Sequence, residues 1–441
     1  MAEQMKTSGI DWIGEIPCSW NIKRIKYLAQ LKGRIGWQGL TSDEYTDVGP
    51  FLITGVDFSD GSINWESCVH ITEERWAEAP EIHIKNGDLL ITKDGTVGKV
   101  AIVENLQGKA SLNSGVLLIK ASDGYNKKFL YWVLLSEEFW TWFRLKNAGN
   151  STIIHLYQND FAEFSYTFPD ITEQNAIADF LDKECAQIDS INADLEKQIE
   201  LLQQYKKSLI TETVTKGLDK SVPMKDSGVE WTSKIPCHWE IKRFKYLCEY
   251  ITDGSHFSPE TADEGYPYIT AADVKGVGLD YDAAKKISQQ DFISLQKAGC
   301  QPRKGDVLLV KDGATTGRIG MVTSEKPCVV LSSVAILRAP DNMDARYLRY
   351  LMESDFVQAQ IQASMAGSAM PRTVLSKIIN YWGITCPKEE QKEICDFLDR
   401  KCGYIETVIE TKQVQQSIIQ QHKKSLIYEY VTGKKRVKEV R

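Results

Sequence analysis

The chain has 441 residues, 42% of them apolar and 26% charged, which is ordinary for a soluble globular protein and enough for more than one core. No stretch approaches the roughly 18 apolar residues of a membrane span, and the opening MAEQMKTSGIDW has no apolar signal core, so a cytoplasmic protein with no membrane role is expected. A formal charge of −7 counts weakly against nucleic acid, since phosphate neutralisation needs Lys and Arg, yet it leaves room for local basic faces or a basic partner.

The first predicted segment, residues 5–28 (MKTSGIDWIGEIPCSWNIKRIKYL), ends in a basic run, Lys23, Arg24 and Lys26. Such a run fits a phosphate contact or simply a solvated face. In the turn-rich stretch 30–85, Arg34, Trp37 and Gln38 stand out, because Arg and Gln can read base edges through paired hydrogen bonds. Exposed loops also carry such residues for no reason. Apolar runs at Leu89–Thr92 and Val116–Lys120 predict strands. Between them comes Lys93-Asp94-Gly95-Thr96-Val97-Gly98-Lys99. Its glycines let backbone approach a phosphate, Lys93 and Lys99 supply charge, and Thr96 can donate. A plain hairpin turn would look the same, and the Walker A spacing is missing. After the aromatic helical stretch KKFLYWVLLSEEFWTWF comes a small polar loop, Asn150, Ser151 and Thr152 through to His155. These residues suit phosphates or base edges, or the cap of a helix.

From Ile171 the pattern becomes helical. Leu181, Ile188, Leu195, Leu202 and Leu209 recur every seven residues, with Ile177, Ile191 and Tyr205 added to the stripe. This is a coiled-coil seam of about five heptads. Thr172 is the expected N-cap and Gly217 the residue beyond the C-terminus. Some 40 residues make a rod of about 60 Å.

The sequence then restarts. Residues 224–247 (MKDSGVEWTSKIPCHWEIKRFKYL) match residues 5–28 at 15 of 24 positions. GDVLLVKDGATTGR from Gly305 matches GDLLITKDGTVGK from Gly87, and EQKEICDFLDRKCGYIE from Glu390 matches EQNAIADFLDKECAQID from Glu173. The chain is two copies of a unit of about 218 residues, a domain-scale duplication rather than a solenoid. The second copy repeats the candidate clusters: Asp253, Ser255 and His256 in its divergent stretch 249–303, Lys311, Thr315, Thr316 and Arg318 in its turn, and Ser368, Arg372 and Thr373 after its helical stretch. Its own seam reads Leu398, Ile405, Lys412, Ile419 and Leu426, where Lys412 interrupts the apolar row. A polar seam residue commonly fixes register or partner.

The predicted fold is α+β (mixed α/β). Two globular domains with largely antiparallel sheets are separated by two long helices that pair as an antiparallel coiled coil, giving a pseudo-twofold internal repeat. The expected boundaries are 1–170, 171–217, 218–387 (with a linker at 218–232), 388–433 and a basic tail at 434–441. A shared frame with different inserts suits two readers of different half-sites, joined by a rod that spaces them. Drift of surface loops after duplication would also leave different inserts. No catalytic residue is identifiable. There is no Pro-Pro pair of the kind an amino-methyltransferase loop needs, and Glu240-Ile241-Lys242 has no acidic partner for a nuclease metal. The ten cysteines form no C-x-x-C pair, so no metal site is expected. A coiled-coil scaffold without sequence preference is the other reading.

The segments GIDWIGEIPCSWNIKRIKYL and GVEWTSKIPCHWEIKRFKYL resemble those that open each half of Type I restriction–modification specificity subunits. The two EQ-led helix starts resemble those subunits' helical spacers, and the resemblance covers essentially the whole chain. It implies two target-recognition domains that grip a bipartite, asymmetric site in double-stranded DNA. It further implies assembly with two methyltransferase (M) and two restriction (R) subunits. No cofactor is expected in this chain. S-adenosylmethionine, ATP and Mg belong to the partners. Base-reading residues vary with the target in this family and are not carried over.

Overall fold

The computed structural model describes residues 4–34, 39–122, 124–148, 154–276, 278–365 and 371–437. The chain divides into two compact units, residues 1–194 with 414–441, and residues 195–413. Each globular segment is thus grouped with parts of both long helices.

In the first unit four antiparallel strands lie in the order Val100–Ile102, Leu89–Thr92, Val116–Ala121, Ala29–Gly33. Side chains alternate across a strand, and here both faces are covered. Leu89, Ile91, Leu117 and Ile119 enter one core with Phe129, Trp132 and Phe139 from the helices Lys127–Leu135 and Glu137–Lys146. Leu90, Val116 and Leu118 enter a second core with Ile53, Phe58 and Ile82. Double coverage is why Leu89–Thr92 reads as an unbroken apolar run. A second sheet pairs Thr46–Ile53 antiparallel with Val69–His70 and parallel with Ala110–Leu112.

The second unit repeats the plan. Its antiparallel order is Tyr250–Asp253, Val334–Arg338, Val307–Val310, Ile319–Met321. Val307, Leu309, Ala335 and Leu337 face one core, and Leu308, Val310, Val334 and Ile336 face the other. Here too one pair of a second sheet is parallel, Tyr266–Ile269 with Val329–Val330.

The repeated signatures are framework. Trp20 and Trp239 are fully buried, and their indole N–H groups donate to Glu173 at 2.8 Å and Glu390 at 3.0 Å. The neighbouring Gln174 and Gln391 accept from the backbone N–H of Asn126 (3.0 Å) and Asp344 (2.9 Å), tying the long helices to the start of the aromatic helical segments.

The long helices span Ile171–Lys216 and Lys388–Val431. Asp170, not Thr172, caps the first, because its carboxylate accepts from the Glu173 N–H at 2.9 Å while Thr172 lies inside the helix. The helices run antiparallel within each unit. The Phe180 and Tyr430 rings meet tilted, 4.4 Å between centroids, and Asp189 pairs with Lys423 at 2.6 Å in the first. In the second, Gln198 accepts from Lys412 and Glu406 pairs with Lys206, both at 2.5 Å. The seam residues Leu181, Ile188, Leu195, Leu398, Ile405 and Leu426 are buried, and Leu202, Leu209, Lys412 and Ile419 are half-buried. Ile191 and Tyr205 are exposed instead. Each lies three residues beyond a seam position, on a flank that one partner helix does not cover. Both helices end on left-handed glycines, the expected Gly217 (φ +74°) and Gly433 (φ +71°).

Candidate nucleic-acid interface

In the first unit Lys93–Lys99 forms the hairpin turn between the central strand Leu89–Thr92 and the edge strand Val100–Ile102, closed by Thr92 N–H to the Lys99 carbonyl at 2.9 Å. Two other segments close on this turn. From the divergent stretch come the carbonyls of Gly55, which accepts from Thr96 at 3.1 Å, and Phe58, which accepts from Lys99 at 3.4 Å. From the loop after the aromatic helices, Leu156 N–H donates to the Lys93 carbonyl at 2.9 Å and His155 Nδ1 lies 2.6 Å from Asp94. Thr96 and Lys99 are exposed, and Lys93 and His155 are partly so. Arg34 is buried, donating to the Leu112 carbonyl at 2.7 Å and the Ser111 hydroxyl at 3.0 Å. Burial, with the charge of Arg75 adding to it, lowers its pKa below the usual guanidinium range.

The second unit brings together the matching three segments through charge. Lys311 is buried at 2% exposure, with Nζ 3.2 Å from Asp253 and 3.6 Å from Asp312. Asp312 also meets Arg372 Nε at 2.9 Å, and His256 Nε2 lies 3.3 Å from Asp253. Ser255 is buried, its hydroxyl accepting from Phe257 N–H at 3.0 Å. Gly254 before it could carry no side chain, since a Cβ there would lie 2.0 Å from the Val330 carbonyl oxygen. Thr315 is half-buried, Thr316 bonds the Gly313 and Pro371 carbonyls at 2.7 and 3.0 Å, and Arg318 reaches the Val274 carbonyl at 3.3 Å. Thr373 is buried against Ser364 (2.8 Å) and Tyr381 (2.6 Å).

In the second unit the three clusters singled out separately in the sequence therefore meet at one place, whereas in the first the turn meets His155 and the carbonyls of Gly55 and Phe58, and Arg34 lies instead against Ser111 and Leu112. Within them the side chains divide. Arg34, Ser255, Lys311 and Thr373 are occupied by the fold, whereas Thr96, Lys99, His256 and Arg372 present polar groups to solvent. Trp37, Gln38, Asn150, Ser151, Thr152 and Ser368 lie outside the described residues. Of the acids that organise the site, Asp253 stood with Ser255 and His256 among the candidates, whereas Asp94 and Asp312 were not singled out as contact residues. The signal for Asp94 and Asp312 was the Lys-Asp-Gly triplet itself, retained in both copies. Among the described residues no group of three or more His, Cys, Asp or Glu is arranged to hold a metal ion, and no helix is long and apolar enough to cross a membrane.

The family described as "Type I restriction modification DNA specificity domain" matches residues 17–201 and again 236–418. The chain is 23% identical over 441 residues to the Type I restriction enzyme MjaVIII specificity subunit of Methanocaldococcus jannaschii, covering 96% of this chain and 95% of that one. It is 25% identical over 346 residues to the Type I restriction enzyme EcoBI specificity subunit of Escherichia coli, covering 75% and 69%. Among solved structures, a chain from work on assembly and conformational transition of the type I R-M system shares the fold at a TM-score of 0.71, with 15% identity and coverage of 94% and 98%. The HsdS subunit from Thermoanaerobacter tengcongensis gives 0.50 at 16% identity, covering 95% and 98%.

Proposed function

This chain belongs to the family of Type I restriction–modification DNA specificity domains, which it matches twice, and from that premise we propose how it selects its target. Each unit takes one half of a bipartite, asymmetric site in double-stranded DNA at the meeting point of its turn, its divergent stretch and the loop after its aromatic helices. The observation that carries this reading is the contrast inside the duplication. The buried Trp–Glu frame is the same in both units, while the segments that close on the turn differ in sequence. A frame held constant under changing contact residues suits two readers of two different half-sites.

The chain itself performs no bond chemistry in this reading. It serves two methyltransferase and two restriction subunits in the cytoplasm, and S-adenosylmethionine, ATP and Mg are held by those partners. Exposed Lys, Thr, His and Arg side chains would supply phosphate and base contacts. The chain's charge of −7 implies that basic surfaces of the partners share the phosphates. The test is a domain exchange. Replacing residues 239–387 with the corresponding segment of a relative, then sequencing the methylome of cells that also carry the methyltransferase subunit, should change one half of the methylated motif and leave the other intact. A change in both halves would sink the two-reader scheme.

A further inference from the structure

The turn that joins a central strand to the edge strand carries an aspartate at the same place in both units, and in each unit that aspartate holds one equivalent residue. Asp94 Oδ1 lies 2.6 Å from His155 Nδ1, and Asp312 Oδ1 lies 2.9 Å from Arg372 Nε. Backbone bonds fix the equivalence. Leu156 N–H donates to the Lys93 carbonyl at 2.9 Å, and Thr373 N–H donates to the Lys311 carbonyl at 2.8 Å. His155 and Arg372 therefore occupy one position of the duplicated frame, with the carboxylate retained and the residue it holds changed.

A bare carboxylate beside DNA repels phosphate, so its retention requires another task. Here it holds a longer polar side chain, by a hydrogen bond to His155 in the first unit and, in the second, by an ion pair with Arg372 beside a backbone bridge between Asp312 and Arg372. Arg372 is 59% exposed, and among the described residues its side chain pairs only with Asp312, through Nε. Its terminal amino groups remain, and a guanidinium can present two donors in a rigid fork. That fork matches the O6 and N7 acceptors of guanine in the major groove. His155, held through Nδ1, keeps Nε2 for a single hydrogen bond. Lys311, itself buried, keeps Asp312 from standing as an uncompensated charge.

Resting on the half-site reading above, we propose that His155 and Arg372 are the equivalent specificity-determining residues of the two halves. Asp94 and Asp312 are the positioning residues that aim them, and Arg372 takes the edge of a guanine. The test uses the full-length chain with its methyltransferase subunit, a randomised-duplex selection, and the methylome as a second readout. The wild-type motif should contain a guanine in the half assigned to residues 239–387. Arg372→Ala should lower discrimination at that one base pair about 10- to 100-fold. The other half would be read as before, which also shows that the variant is folded. Asp312→Asn should weaken the same base pair and no other, a selectivity that a purely structural role would not give. His155→Arg should create a guanine preference at one position of the first half. The assignment is overturned if Arg372→Ala weakens all sequences equally and lowers the salt slope by about one, the mark of a phosphate contact, or if the affected pair is not guanine–cytosine. A wild-type complex without any sequence preference would instead overturn the half-site reading on which the assignment stands.

Discussion

Replacing Gly433 by alanine tests the joint that closes the first unit. Gly433 follows the second long helix at φ +71°, and a Cβ built there would lie 2.5 Å from Pro17 Cδ and 3.2 Å from Trp20 Cε3. Two costs add. The left-handed backbone costs an L-residue about 1–2 kcal/mol. Overlap with a proline ring, which has no flexible end to swing aside, adds about 1–3 kcal/mol of overpacking. The expected loss is about 2–5 kcal/mol. At about 2–4 °C per kcal/mol for a unit of this size, the midpoint of the first unit should fall by about 4–20 °C. Gly9→Ala is the control. Gly9 has φ +75° and nothing within 4 Å of its would-be Cβ, so it should lose only the backbone cost, about 1–2 kcal/mol. Calorimetry of the full-length chain resolves the comparison. If Gly433→Ala were no worse than Gly9→Ala, the packing of this glycine against Pro17 and Trp20 would not be a stabilising contact.

Glu138 is fully buried, accepting from the Thr167 N–H at 3.1 Å, and burial raises its pKa to about 8 despite those bonds. The folded value lies above the ordinary 4.5, so the unfolded chain releases this proton first. Stability is full below about pH 4.5 and is lost as pH rises through about 8. The loss is on the order of 4–5 kcal/mol. Glu138→Gln should remove that part of the slope, and urea titrations at pH 5 and pH 8 would show whether it does. Lys311→Met should cost about 3–5 kcal/mol, because it leaves Asp253 and Asp312 without the buried cation between them. A loss below about 1 kcal/mol by urea denaturation would mean that the two acids find other compensation.

Periodicity and repetition made the scaffold legible. The apolar runs at Leu89–Thr92 and Val307–Val310 are central strands, the heptad residues lie along the helix pair, and the repeated Trp and Glu meet across more than 150 residues. The candidate site was only partly readable. Whether a cation faces solvent or an acid depends on residues distant in sequence, and nothing near Lys311 announces that Asp253 neutralises it. Arg34 reads as a surface contact for the same reason, yet it spends its donors on Ser111 and Leu112. Thr172 and Asp170 are both good caps by type, and only the helix start, set by packing, chose between them.

The grouping of residues 414–441 with residues 1–194 also has a temporal consequence. On the ribosome the chain emerges from its N-terminus, so the first core waits for Leu426, Ile427 and Val431 to be made. About 220 residues separate the two parts, and at about 5–20 residues per second that wait is roughly 11–44 s. The second unit, continuous from Leu195 to Gln413, can finish earlier. The half of the protein that is synthesised first is thus the half that folds to completion last.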